Sequence, residues 1–326
     1  MMVSKHFFSL LVTVLALGVQ CSSPVQPNTK WKNIPFPEDN PLTEAKIAFG
    51  KELFFDKRLS AGNQISCASC HQPEKAFTDG LTKSRGVDGR MAMRNAPSIF
   101  NSAYFKSYMY DGEVKTLEEQ VLVPLQDHRE MAGSMKEIIR KLAGDKTYQK
   151  QAHIIFNRDL DAYVITRAIS SYERSLVSRN SRFDQYQSGK KDVLKANELA
   201  GWKLFSEKLY CVKCHSGIDF TNYSVVSNGL YTSYGSDQGR YRINGLEQER
   251  GTFKVPGLRN VSLTAPYMHD GSIQTLREVI LHYASGGKNF PNKSTVIKPF
   301  LLTESEISQL ESFFKSLTDT SSYQAD

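Results

Sequence analysis

The chain has 326 residues, a formal net charge of +7, 40% hydrophobic and 23% charged residues, and five cysteines. That length holds two compact domains, and the composition is that of a globular protein rather than a disordered or fibrous one. No basic run is interleaved with aromatics as a nucleic-acid groove requires, and beyond the N-terminus no stretch is apolar enough to span a bilayer.

Residues 1–21 read as an export signal: Lys5 supplies the positive charge, and Phe7 to Val19 is an apolar run too short for a transmembrane helix. Export predicts a periplasmic address. Cys21, followed by Ser22 and Ser23, stands where a lipoprotein would be cleaved and acylated, which would tether the mature chain to a membrane without altering its fold. Simple removal of the segment is the alternative. Residues 22–40, with four prolines, read as an extended arm.

Cys67-Ala68-Ser69-Cys70-His71 spells CxxCH, and Cys211-Val212-Lys213-Cys214-His215 spells it again. This is the attachment pattern of covalent haem c. Two thiols three positions apart add to the two vinyl groups of one porphyrin, and the next residue, His71 or His215, brings an imidazole to the iron. A zinc knuckle would use all four sulfurs together, and each CxxC could be a redox disulfide. Neither accounts for the histidine after each pair, so two haems, and redox chemistry, are expected.

Between the motifs, Ala162, Ile165, Ile169, Tyr172 and Leu176 form an apolar stripe at helical spacing. A boundary near residue 185 divides an N-terminal haem domain, 41–185, from a C-terminal one, 186–326. The Gly/Asn/Ser-rich run from Ser227 to Gly245 reads as a long loop. Near the end, Ile307, Leu310, Phe313, Phe314 and Leu317 form a second stripe, opened by a capping box of Thr303 and Glu306. Strand-like alternation is scarce, so the fold class is mainly α.

The two halves also repeat each other. Gly50-Lys51-Glu52-Leu53-Phe54 precedes the first motif and Gly201-Trp202-Lys203-Leu204-Phe205 the second. Residues 95–121 align with 254–280 at a constant offset of 159 without a gap, with nine identities that include Pro97 with Pro256, Asn101 with Asn260 and Thr116-Leu117 with Thr275-Leu276. The architecture expected is two tandem cytochrome c-like haem domains related by internal duplication.

With this duplication, the chain resembles the bacterial dihaem cytochrome c peroxidases and their MauG-like relatives, from about residue 40 to 318. Besides CxxCH, the resemblance is carried by Arg94-Asn95-Ala96-Pro97, Asp111-Gly112, Thr116-Leu117-Glu118-Glu119-Gln120, Glu130-Met131, Leu258-Arg259-Asn260 and Thr264-Ala265-Pro266-Tyr267-Met268-His269-Asp270-Gly271. It implies that the N-terminal haem meets peroxide and the C-terminal haem relays or stores electrons. Gln120 and Glu130 match the family's distal pair, with Glu130 as proton shuttle and Gln120 as positioner. Val87 stands where many members place a distal histidine, so the first haem is expected to be open, with His128 the only nearby imidazole that could close it.

The resemblance places the second haem's sixth ligand fourteen residues after His269, at Tyr283, where peroxidases generally carry Met and MauG-like proteins Tyr. Met268 and His282 are the rival ligands. Tyr110 replaces the family's bridging tryptophan, and Leu209 stands where MauG carries a surface tryptophan; Trp202 reads as core packing. Asn95, Thr264 and Pro266 match the residues that bind a calcium ion between the domains, through the oxygen donors that calcium prefers. The expected activity is cytochrome-c peroxidase-type reduction of hydrogen peroxide to water, with electrons from a small cytochrome c or cupredoxin. The alternatives are a MauG-type oxidase of a partner protein and a non-catalytic dihaem electron carrier. A homodimer is left open.

Overall fold

The structure, a computed structural model, describes residues 33–323. The export signal, Cys21 and residues 22–32 of the arm lie outside the described residues. The rest of the arm is tied down: Ile34 and Asn40 are buried, and the Asn40 carboxamide donates to Glu118 Oε1 at 2.9 Å and to the Arg167 carbonyl at 3.0 Å.

Helices dominate, in the order α1 (Glu44–Phe55), α2 (Cys67–Cys70), α3 (Leu117–Gln126), α4 (Met135–Ala143), α5 (Lys146–Phe156), α6 (Ala162–Ser175), α7 (Arg182–Gln187), α8 (Ala196–Lys203), α9 (Tyr241–Asn244), α10 (Leu276–Ala284) and α11 (Glu304–Ser316). The one sheet among the described residues pairs β1 (Val225–Val226) with β2 (Phe253–Lys254), antiparallel, Val225 opposite Lys254. The run 227–245, expected to be loop throughout, contains the single turn α9. Side-chain caps start the longer helices: Asp161 accepts from the Val164 amide on α6, and Thr303 with Glu306 closes the capping box of α11.

Two apolar clusters form. The first gathers Phe49, Leu53 and Phe54 of α1 with Val164, Ile165, Ala168, Ile169 and Tyr172 of α6. The second gathers Phe183, Phe205 and Phe220 with Ile307, Leu310, Phe313, Phe314 and Leu317. Trp202 packs in this second cluster, 5.0 Å from the Phe183 ring and 5.4 Å from Phe313. Residue 185 falls within α7, and Phe183 of that helix belongs to the second cluster.

The repeated glycines mark where helices cross. A Cβ on Gly50 would lie 1.9 Å from the Ala168 carbonyl oxygen, and one on Gly201 would lie 2.0 Å from that of Gln309. So α1 meets α6, and α8 meets α11, at a distance only glycine permits.

The 159-residue offset is matched by geometry. Asn101 and Asn260 are both left-handed, at φ 61° and 59°, a conformation asparagine tolerates. Tyr108 hydroxyl donates to the Ser102 carbonyl at 3.0 Å, and Tyr267 hydroxyl to the Val261 carbonyl at 3.0 Å. Capping boxes of Thr116 with Glu119 and of Thr275 with Glu278 start α3 and α10. The halves meet through a reciprocal pair of backbone bonds related by the same offset: Asn95 N–H to the His269 carbonyl, 2.9 Å, and Lys254 N–H to the Tyr110 carbonyl, 2.6 Å.

α3 is fastened to α6 by a buried bidentate ion pair, Arg174 to Glu118 at 2.5 and 2.7 Å. Burial opposes ionisation of Glu118, but the Arg174 hydrogen bonds outweigh it and hold the carboxyl below its ordinary value. The resulting stability is present above the ordinary glutamate value of 4.5 and is lost as the pH falls through the depressed folded value. Arg174→Met strands the Glu118 charge, and urea denaturation should show a loss of about 3–5 kcal/mol at neutral pH.

Candidate functional site

Both CxxCH turns open into one cavity of about 710 Å³. In each, the backbone folds back by one turn: the His71 amide bonds the Cys67 carbonyl at 2.9 Å, and the His215 amide the Cys211 carbonyl at 2.9 Å. The rings are held alike. His71 Nδ1–H donates to the Phe77 carbonyl at 2.9 Å and His215 Nδ1–H to the Phe220 carbonyl at 3.0 Å. This fixes the tautomer and leaves Nε2 as the donor atom of each imidazole. Burial pushes both histidines below their ordinary value, so both are neutral, the form a metal ligand requires.

The four motif thiols are unbridged. Burial pushes Cys70 up to about 11 and Cys211 up to about 12, and raises Cys67 and Cys214 as well. Thiols held protonated in this way are poor redox-disulfide nucleophiles, and no three His, Cys, Asp or Glu among the described residues converge on a bare metal ion. Neutral sulfur, neutral imidazole and a large, mostly apolar cavity do suit a covalently attached porphyrin at each motif.

Gln120 and Glu130 both line this cavity. Gln120 comes from α3, which carries Pro124 one turn further on; that proline has no amide to offer the Gln120 carbonyl. Glu130 comes from the turn that follows, its amide on the Asp127 carbonyl at 3.0 Å and its own carbonyl accepting from the Val87 amide at 2.8 Å. A Cβ on Gly86 would lie 2.1 Å from the Arg129 carbonyl and 2.6 Å from that of Glu130, so the segment carrying Gly86 and the turn carrying Glu130 lie flush. Burial, then the Asp127 carboxylate, push Glu130 up to about 7.

Val87 is buried and His128 has a side chain 74% exposed beside Asp127; neither forms part of the cavity wall. The first site therefore receives no distal imidazole from either position.

Tyr283 of α10 lines the cavity, and burial raises its phenol above the ordinary value. Of its rivals, Met268 also lines the cavity, with the Asn228 carboxamide 3.4 Å from its sulfur. His282 is turned to the Asn228 carbonyl, 3.2 Å away, outside the wall. The offset of 159 sets Tyr283 against Pro124: both are cavity residues eight positions beyond their capping threonines, and only the tyrosine can bind a metal.

Tyr110 lines the cavity, with its hydroxyl 3.4 Å from Asn95 Oδ1. Burial raises its phenol well above the ordinary value. Asn95, Thr264 and Pro266 share the same wall and offer amide and carbonyl oxygens. Leu209 is half-buried against the second cluster.

Two features have no signal in the spacing of the sequence. Glu173 follows Tyr172 of the α6 stripe yet lines the cavity, 6% exposed, its Oε2 without a hydrogen-bond partner; burial pushes it up to about 8. Arg94 reaches across the halves, bonding Asp237 at 2.7 and 2.8 Å and Asp111 at 2.9 Å. This ties the 227–245 run to the first half.

Residues 44–192 match the family described as di-haem cytochrome c peroxidase. The methylamine utilization protein MauG of Methylorubrum extorquens is 34% identical over 288 residues, 88% of this chain and 82% of that protein. The cytochrome c551 peroxidase of Nitrosomonas europaea is 34% identical over 286 residues, 86% of this chain and 81% of that one. A MauG-like protein associated with microbial copper homeostasis superposes with a TM-score of 0.85 at 34% identity, over 95% of this chain and 98% of that one. The fold is shared with the diheme peroxidase BthA from Burkholderia thailandensis, TM-score 0.75 over 86% of this chain and 87% of that one at 23% identity. The chain belongs to the di-haem cytochrome c peroxidase family, which embraces both cytochrome c peroxidases and MauG proteins.

Proposed function

We propose that the chain is an exported di-haem peroxidase built from two duplicated haem units, reducing hydrogen peroxide to water at the first CxxCH site with electrons from a small cytochrome c or cupredoxin. The observation that carries this reading is the presence, in one cavity with both motif histidines, of a carboxyl group, Glu130, whose proton affinity lies near neutrality.

When bound, the two haems would supply one iron open to peroxide and a second that stores or relays electrons. His71 and His215 would hold them through Nε2, with thioethers to Cys67, Cys70, Cys211 and Cys214, and Tyr283 would close the second site. Gln120 orients peroxide through its carboxamide. The Glu130 carboxylate accepts the proton from one peroxide oxygen and returns it to the other as the O–O bond breaks. Two electrons from the donor and two protons from solvent balance one peroxide against two waters. Tyr110 relays electrons between the sites, with Asn95 Oδ1 as the acceptor its hydroxyl leans on. Asn95, Thr264 and Pro266 would hold calcium through neutral oxygens. Acylation at Cys21 would anchor the protein; no helix among the described residues is long and apolar enough to cross a membrane.

A second reading, peroxide-driven oxidation of a partner protein, is favoured by Tyr283 at the sixth-ligand position and disfavoured by Leu209, an aliphatic side chain half-buried in the second cluster. A bare electron carrier needs neither Gln120 nor Glu130.

Because Glu130 must be ionised to accept the proton, kcat/KM for peroxide should rise with pH through about 7 and level off above it. Glu130→Gln should lower kcat/KM by about 10²–10⁴-fold and erase that limb. Stopped-flow peroxide consumption measures both, and near-normal turnover in the variant would reject the assignment.

Low-temperature spin-state spectra of the oxidised protein should show one high-spin and one low-spin centre. Tyr283→Met should raise the potential of the low-spin centre by a sizeable part of the roughly 0.8 V that axial ligands span. Spectroelectrochemistry reads the shift, and an unchanged potential would remove Tyr283 as the ligand.

A further inference from the structure

A row of aromatic side chains leaves the cavity from the wall of the second half. His269, in the wall, stacks on Phe253 with centroids 3.8 Å apart and planes 16° apart. Tyr234, 8% exposed, lies 6.2 Å from His269, and Tyr231 lies 5.9 Å from Tyr234. Tyr231 is half-exposed, so the row runs from the cavity to solvent. None of the residues assigned to peroxide cleavage belongs to it.

The proton inventory singles out the outer end. An oxidised phenol is a strong acid, so a tyrosine gives up an electron readily only where a base takes its proton. Tyr231 O–H donates to Asp270 Oδ2 at 2.6 Å. Burial works against ionisation of Asp270, but the bonds from Tyr231 and Ser272 outweigh it and keep the group a carboxylate. Tyr234 has the Ser227 hydroxyl, at 3.2 Å, and the backbone of Leu230 and Tyr231 on its phenol, none of them a carboxylate base. Tyr210, exposed at the second motif and also on the cavity wall, has the Lys213 ammonium 5.1 Å from its ring and no fixed carboxylate on its phenol among the described residues.

We infer that Tyr231 is the terminal one-electron donor of this protein when no redox partner is bound, feeding the cavity through Tyr234 and His269. The inference rests on the peroxidase reading for its physiological oxidant. In the first event Tyr231 loses one electron, which passes inward, and its phenolic proton moves to Asp270, leaving a neutral tyrosyl radical beside a carboxylic acid. A second oxidation of that radical, with water adding to the ring and a further proton released, supplies the second electron and leaves a hydroxylated ring, so that one peroxide and one tyrosine give one catechol side chain and, net, one water. The relay so drains oxidising equivalents to one defined surface residue instead of scattering them over the buried methionines and tyrosines of the cavity.

The test uses the full-length, haem-loaded protein. It is treated without an electron donor, in one arm with hydrogen peroxide and in the other with hexachloroiridate(IV), a one-electron oxidant that needs no O–O cleavage. Freeze-quench EPR should show a tyrosyl radical, and peptide mapping should find the covalent oxidation on the peptide carrying Tyr231. Tyr231→Phe should abolish that signal while leaving peroxide turnover with a donor unchanged, Tyr234→Phe should slow its appearance with peroxide, and Tyr210→Phe should leave it intact. A mark elsewhere with both oxidants, or a radical that survives Tyr231→Phe, overturns the inference. If peroxide leaves the metal centres unchanged while hexachloroiridate still marks Tyr231, the inference stands and the peroxidase reading falls.

Discussion

The hydrogen bond from each motif histidine to a main-chain carbonyl a few residues downstream is the interaction on which the site depends. His71 on Phe77 and His215 on Phe220 lose both the freedom to rotate and the freedom to change tautomer. A ring so held can present only Nε2, and the one-turn fold that bonds each histidine amide to the first cysteine carbonyl sets two sulfurs at a fixed distance from it. The buried Phe77 and Phe220 carry those carbonyls into the two apolar clusters, so the packing of each half is also what aims its imidazole.

At positions 159 residues apart the two halves carry different side chains. Gln120 in the first half faces Val279 in the second at the same offset, and both line the cavity. Pro124 faces Tyr283 in the same way. The first half thus lines the cavity with a proline and a carboxamide, the second with a valine and a phenol. On the proposed reading, two positions on a pair of similarly capped helices would separate a site open to peroxide from one closed by a side chain.

Much of this was legible because it is written in local, repeating patterns. CxxCH needs only five consecutive residues, the capping boxes at Thr116, Thr275 and Thr303 need four, and the stripes of α6 and α11 follow helical spacing. The glycines at 50 and 201 were visible as repeats, but only the structure shows them to be contacts between helix backbones. Glu173 was not legible, since its place on the cavity wall follows from how α6 rolls against α1 and α3, which spacing does not encode. Nor was Arg94 with Asp237, a pair 143 residues apart joined only when the halves meet. The single turn α9 arises inside a run whose composition suits a loop, where Arg242 reaches Asp111 at 2.9 Å and Glu113 besides. Tertiary ion pairs there override weak local propensity.

The family embraces both cytochrome c peroxidases and MauG proteins, so one architecture serves both. On the peroxidase reading, reduction of peroxide at the first site would be indifferent to where the two replacing electrons come from. What would differ is the side chain through which they enter. In this chain the aliphatic Leu209 is half-buried in the second cluster, whereas an aromatic row ending in Tyr231, with Asp270 as its base, reaches solvent. On the inference drawn from that row, Tyr231 would release oxidising equivalents only when no donor is bound, while the apolar packing beneath it holds the two motif histidines on their carbonyls.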